Sequence, residues 1–184
     1  MPARQRKRPT LRRRQKLSIA SYSLPSDEAV RAMEREMFAG RFVDEYLSAL
    51  LARASIAVSR EFNNDVDRRG MPIPQWRILA SLWDNPGLSL SDLAELTVLK
   101  QPTLTRLVQR LQKRGLVRKE IDPHDRRLLR LSLTARGRNE VKDLIRIARE
   151  RQKRVLHGLD ADGLIAVLRH LIAFCAAKRR GGLG

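Results

Sequence analysis

Between Lys100 and Leu133 the hydrophobic period changes, and that change constrains the fold more than any other feature of the chain. From Pro102 to Arg114, the residues Leu104, Leu107, Val108 and Leu111 recur at i, i+3, i+4 and i+7, the stripe of a helix that buries one face. Pro102 suits the first helical position, where a missing N–H is no loss. Gly115 supplies the left-handed residue just past the end, and Leu116 the apolar contact that closes such an ending. Beyond Gly115 the period shortens toward two. Leu116–Ile121 and Leu128–Leu133 are strand candidates, the second with Leu129, Leu131 and Leu133 on one face and Arg130 and Ser132 on the other. The turn-rich run Asp122-Pro123-His124-Asp125-Arg126-Arg127 joins them as a hairpin with a basic tip.

The flanking segments read as helices. Ser26, followed by Asp27 and Glu28, is an N-cap with acids in the first turn. After a possible break at Gly40, the spacing of Val43, Tyr46, Leu47, Leu50, Leu51, Ala54, Ala57 and Val58 predicts one long helix to about Asp67, closed by Gly70, Pro72 and Pro74. A shorter helix spans roughly Pro74 to Trp83, and Asn85-Pro86-Gly87 is a turn. Ser89-Leu90-Ser91-Asp92 forms a capping box that opens a two-turn helix, Leu90 to Leu96. Thr134 caps a long helix to about His157. A last helix begins at Asp160 and carries Leu164, Val167, Leu168, Leu171, Ile172 and Cys175 on one face. No internal repeat is visible.

Charge says what such a fold is for. Of 184 residues, 38 are Lys or Arg and 20 Asp or Glu, a net of +18 that suits a polyanionic partner. Eight of the basic residues (Arg4, Arg6, Lys7, Arg8, Arg12, Arg13, Arg14 and Lys16) precede the first acid, Asp27. Residues 1–25 therefore read as a basic disordered arm, suited to touching phosphates, with an idle solvated tail as the alternative. The arm lacks the amphipathic face of a transit peptide and the apolar run of a twin-arginine signal. Without it, 30 basic residues still face 20 acidic ones. Hydrophobic residues make up 42%, which excludes a wholly disordered chain, and no apolar run approaches the roughly 20 residues that span a bilayer. A single cysteine excludes an intramolecular disulfide framework and fits a cytoplasmic location.

The helix from Pro102 turns a polar face away from its leucine stripe. Pro102, Arg106, Gln109 and Lys113 lie opposite, flanked by Thr103, Thr105 and Arg110, and no acid occurs from Lys100 to Lys119. Arg, Gln and Thr at that spacing can hydrogen-bond base edges and phosphates in a major groove. From Lys100 to Arg138 there are twelve basic residues against Glu120, Asp122 and Asp125. Arginines at a hairpin tip suit a narrow, electronegative minor groove. Two short helices, the second basic and ended by glycine, followed by a basic hairpin, are the parts of a winged helix-turn-helix.

The segments Ile73-Pro74-Gln75-Trp76, Leu90-Ser91-Asp92-Leu93-Ala94, Gln101-Pro102-Thr103-Leu104-Thr105-Arg106, Gly115-Leu116-Val117-Arg118, Asp122-Pro123-His124-Asp125-Arg126-Arg127 and Leu133-Thr134-Ala135-Arg136-Gly137 resemble, in register, the MarR family of bacterial transcription regulators. The resemblance implies a mainly α fold with a small β-hairpin wing, its winged helix-turn-helix flanked by long N- and C-terminal helices that intertwine into a homodimer. It implies that Gln101 and the outward residues of the helix from Pro102 meet DNA, that Asp125 forms a salt bridge orienting Arg126 and Arg127, and that Arg127 enters the minor groove. It also implies a cleft for a small aromatic or anionic effector, for which Phe42, Tyr46, Arg53, Trp76 and Trp83 are candidates, plain packing being the alternative for each. The long arginine arm departs from the family pattern, so its role does not carry over.

The expected division is an arm at 1–25, dimerisation helices at 26–70, a DNA-binding domain at 71–137 and further dimerisation helices at 138–184. His124, His157, His170 and Cys175 fall in no metal-ligand spacing, and no grouping of nucleophile, base or phosphate loop points to an enzyme or a cofactor. Cys175 is expected to be an inert core residue. The expected function is sequence-specific repression from a pseudo-palindromic operator, without membrane attachment, with effector release possible. The alternatives are a nonspecific or architectural DNA-binding protein and a basic adaptor for proteins or membrane surfaces.

Overall fold

A computed structural model of the chain describes residues 26–38, 40–123 and 125–181; the arm and His124, for which the sequence raised expectations, lie outside the described residues. The chain divides at Leu50/Leu51 into two compact units.

In the first unit, α1 (Asp27–Met37) starts where expected, with the Ser26 hydroxyl accepting from the Ala29 N–H at 3.3 Å. The long helix predicted from Val43 is interrupted. A single turn, α2 (Phe42–Glu45), ends at Tyr46, whose extended φ/ψ of −73°/111° precedes α3 (Leu47–Arg68). Apolar spacing alone does not register this break, because Val43, Tyr46 and Leu47 keep helical intervals across it. The unit buries no large apolar side chain among its described residues. Val30, Met33, Met37, Phe42, Val43 and Leu47 are all exposed.

The second unit holds a packed core. Around it lie α4 (Ile73–Asp84), α5 (Leu90–Thr97), α6 (Gln101–Lys113), β1 (Val117–Ile121), β2 (Leu129–Leu133) and α7 (Ala135–Val155), with α8 (Ala161–Gly181) following. The predicted stripe seats α6: Leu104, Val108 and Leu111 are buried against Ile78, Leu79, Leu82 and Leu93, and Leu107 packs at the edge. The capping box is present, with Ser89 Oγ accepting from Asp92 N–H and Asp92 Oδ2 accepting from Ser89 N–H. Gly115, at φ +70°, closes α6 as expected.

β1 and β2 pair antiparallel from Val117↔Leu133 to Ile121↔Leu129. Ser132 breaks the expected alternation by being buried: its hydroxyl accepts from the Gly87 N–H at 3.0 Å. Backbone bonds from Gly87 N to Leu131 O and from Leu131 N to Leu88 O make the α4–α5 turn a third rung beside the hairpin.

At the far end of α7, Arg151 ties back to α3 through Asp65 (2.7 and 2.9 Å) and Glu61. Burial opposes the charge on Arg151, and hydrogen bonds to the two carboxylates outweigh it, so its pKa is raised above the ordinary guanidinium value.

Among the described side chains of α8 none is buried, and Leu164, Val167, Ile172 and Phe174 are exposed. Cys175 is exposed too, contrary to the core position expected for it, because its apolar stripe has no cover within the single chain.

Candidate nucleic-acid interface

Three local devices present α6. Lys100, in an extended conformation, precedes Gln101 and Pro102 in the first turn. The Gln101 side chain reaches Ser91 Oγ at 3.5 Å, linking the start of α6 to α5. At the other end Arg114 donates to the buried Gln75 of α4 at 2.9 Å and to Glu140 of α7 at 3.3 Å. The helix is thus held at both termini, and its middle is held by the leucine stripe.

The residues expected to face outward do so. Gln101, Pro102, Thr103, Arg106, Gln109, Arg110 and Lys113 are exposed. Thr105 is half-buried and donates to the Gln101 carbonyl at 2.9 Å, which leaves its hydroxyl only as an acceptor toward solvent. Arg106 bends back toward the Pro102 carbonyl at 3.4 Å.

Nine of the twelve basic residues of this region separate into two groups. Arg114, Arg118 (with Glu120 at 3.1 Å) and Arg130 (with Asp122) are spent on internal ion pairs, and Arg138 lies 5.3 Å from the Trp83 ring centroid. Arg106, Arg110, Lys113, Arg126 and Arg127 have no carboxylate partner among the described residues, so their charge is available to a polyanion.

The wing departs from expectation in one respect. Asp125 forms no ion pair with the tip arginines; its Oδ1 accepts the backbone N–H of Arg127 at 2.9 Å. The buried carboxylate is Asp122, not the Asp125 that stands beside the tip arginines in sequence. Asp122 accepts from Arg130 Nε and, at 2.9 Å, from the Asp125 N–H. Proximity in sequence favours pairing an acid with the arginines beside it. In the hairpin, residue 130 lies one register step from the strand end, which brings it back beside residue 122.

The five effector-cleft candidates fall in both units. In the first, Phe42, 75% exposed, stacks on Tyr46 at 5.0 Å between ring centroids. In the second, Arg53 is half-buried, Trp76 packs on Phe62 at 5.0 Å, and Trp83 lies under Arg138. None of the five lines the cavity of about 60 Å³ between α6 and the wing, which is bounded by Leu90, Thr105, Val108, Gln109, Lys119 and Leu131 among others. Among the described residues no group of three or more His, Cys, Asp or Glu could hold a metal ion, and no helix is long and apolar enough to cross a membrane.

Residues 69–128, the helix-turn-helix and most of the wing, match the model of the MarR family. A MarR family transcriptional regulator from Silicibacter pomeroyi DSS-3 is 34% identical, with a TM-score of 0.65 over 73% of this chain and 98% of that one. NadR, solved with 4-hydroxyphenylacetate, is 28% identical (TM-score 0.65; 71% of this chain, 92% of that one). The transcriptional repressor CouR, solved on a 23-mer DNA duplex, is 27% identical (TM-score 0.57; 72% and 94%). Matches to curated regulators are partial, spanning 49% of one relative and 65% of another. With a MarR family regulator 34% identical and covered over 98% of its length, the chain belongs to the MarR family, a family of transcriptional regulators and not of enzymes.

Proposed function

We propose that this protein is a sequence-specific DNA-binding repressor that acts as a homodimer on a pseudo-palindromic operator and is released by a small aromatic or anionic effector. One observation carries the DNA-binding part. Helix α6 is anchored at both ends and along one face, while its opposite face presents Arg106, Gln109, Arg110 and Lys113 without carboxylate partners. The CouR complex supports the same use of this fold. Self-association is supported by the apolar side chains that one chain leaves uncovered in α8 and in the first unit, since soluble monomers seldom expose large contiguous apolar patches. Two copies related by a dyad would set their recognition helices about 34 Å apart, one turn of B-DNA. The effector class rests on NadR with 4-hydroxyphenylacetate and on BpsR, whose DNA binding 6-hydroxynicotinic acid regulates. Differential affinity for the DNA-competent state is what would let such an effector release the operator.

Selection from a genomic fragment library at about 0.15 M salt, where weak phosphate contacts are largely screened, tests this. Enrichment of one palindromic sequence is the expected result. Uniform, salt-fragile binding would replace the repressor with a DNA-coating protein, and absence of binding would end both.

A further inference from the structure

Arg130 and Asp122 bond to each other and to the backbone of the wing and of the α4–α5 turn. The Arg130 guanidinium donates through Nε to Asp122 Oδ2 and through Nη1 to the Gly87 carbonyl at 3.3 Å. Gly87 is fixed in turn, its N–H shared between Leu131 O at 2.9 Å and Ser132 Oγ at 3.0 Å. Asp122, with its side chain 6% exposed, also takes the Asp125 N–H on Oδ1. The Asp125 carboxylate then holds the Arg127 N–H, and its carbonyl takes the Leu128 N–H. A continuous set of hydrogen bonds therefore runs from the α4–α5 turn through Arg130 and Asp122 to the backbone that carries Arg126 and Arg127.

We infer that Asp122 and Arg130 are positioning residues for the DNA-reading wing: Arg130 is not a phosphate contact, and Asp122 is an acid whose presence strengthens the binding of a polyanion. This rests on the proposed DNA-binding role. Bare electrostatics says that deleting a carboxylate near phosphate raises affinity. Positioning says the reverse, because the deletion leaves the Arg130 guanidinium without its carboxylate partner and loosens the tip.

Duplex affinity of Asp122→Asn is measured at a temperature where parent and variant are both fully folded. About tenfold weaker binding is expected, the size of losing one charge-assisted hydrogen bond. In a background already carrying Arg126→Ala and Arg127→Ala the same substitution is expected to have no such effect, since it acts through those side chains. Tighter binding of Asp122→Asn in the parent, or an equal loss in both backgrounds, would overturn the inference. A second measurement needs no DNA. Arg130→Met is expected to speed amide exchange at Asp125 and Arg127 about tenfold or more while α6 amides keep their protection. Unchanged exchange at the tip, or equal loss across α6, would also overturn it. A parent chain that binds no duplex would refute the proposed function, and the exchange experiment would still decide the coupling.

Discussion

Gly137 is the position at which a single methyl group should do most damage for its size. Its backbone is helical, so glycine is not required there for a positive φ; it is required for space. A Cβ at this position would stand 2.0 Å from the Leu116 carbonyl oxygen and 2.9 Å from its carbon. Both atoms are backbone, so no side chain can swing aside. Reaching ordinary contact requires a shift of about 1.4 Å or more between the first turn of α7 and the end of α6. That carbonyl accepts the Thr134 N–H at 3.0 Å, and Thr134 in turn donates to Gly115 O at 2.6 Å and caps Gly137 N at 3.0 Å. Overpacking of this kind costs about 1–3 kcal/mol, and one strained or broken backbone bond adds about 1 kcal/mol. Against this, Gly→Ala within a helix returns about 0.5–1 kcal/mol. The expected net loss for Gly137→Ala is about 1–3.5 kcal/mol, which for a chain of this length is a fall in Tm of roughly 2–14 °C. Urea titration at fixed protein concentration measures it. Gly115→Ala is the control: its φ is +70°, but its nearest neighbour is the Arg136 guanidinium at 4.0 Å, so strain of about 1–2 kcal/mol is all it should show. If Gly137→Ala proves as stable as the parent, or more stable than Gly115→Ala, close approach of α7 to Leu116 is not what holds glycine there.

Three further outcomes follow from the same geometry. Arg127→Ala should weaken duplex binding and reduce the salt slope by about 0.9, leaving the oligomeric state unchanged by light scattering; an unaltered slope would remove Arg127 from the phosphate or groove contacts. Val98, a β-branched residue at φ 54° and 83% exposed, gains nothing from packing in return for its left-handed backbone. Val98→Gly should therefore raise stability by roughly 0.5–1 kcal/mol in chemical denaturation, and a loss would show that the turn relies on its side chain. Arg151→Met leaves Asp65, 4% exposed, with Arg68 alone at 3.6 Å. A loss of about 2 kcal/mol is expected, smaller than for a fully enclosed pair because Arg151 is itself 23% exposed; no loss would mean that the α3–α7 link is idle.

What the sequence made legible was whatever short-range chemistry decides. Ser89 and Asp92 satisfy each other's backbone groups within one turn, Gly115 and Thr134 mark helix ends by their own conformational and capping preferences, and the stripe Leu104–Leu107–Val108–Leu111 fixes which face of α6 is free. The outward set on α6 follows from that stripe by helical geometry alone, so its exposure needed no knowledge of what surrounds it. The wing acids behaved differently. Asp122 and Asp125 are three residues apart, and Asp125, next to Arg126, is the one that proximity in sequence favours. What separates them is a strand pairing that carries residue 130 back beside residue 122, and a turn at Gly87, 43 residues from Arg130, that supplies a carbonyl. Ser132 is the same case. Alternation places it outward, and a single N–H from Gly87 draws it into the core. Nor does spacing reveal the break at Tyr46 or the exposure of Cys175, since both depend on what packs against an apolar stripe and not on the stripe itself. The pattern thus told which side chains are free to reach a partner, and the long-range pairs told which charges are already taken. A count of basic residues overstates the charge offered to DNA unless Arg114, Arg118 and Arg130 are set aside, and that can be done only after their partners are seen.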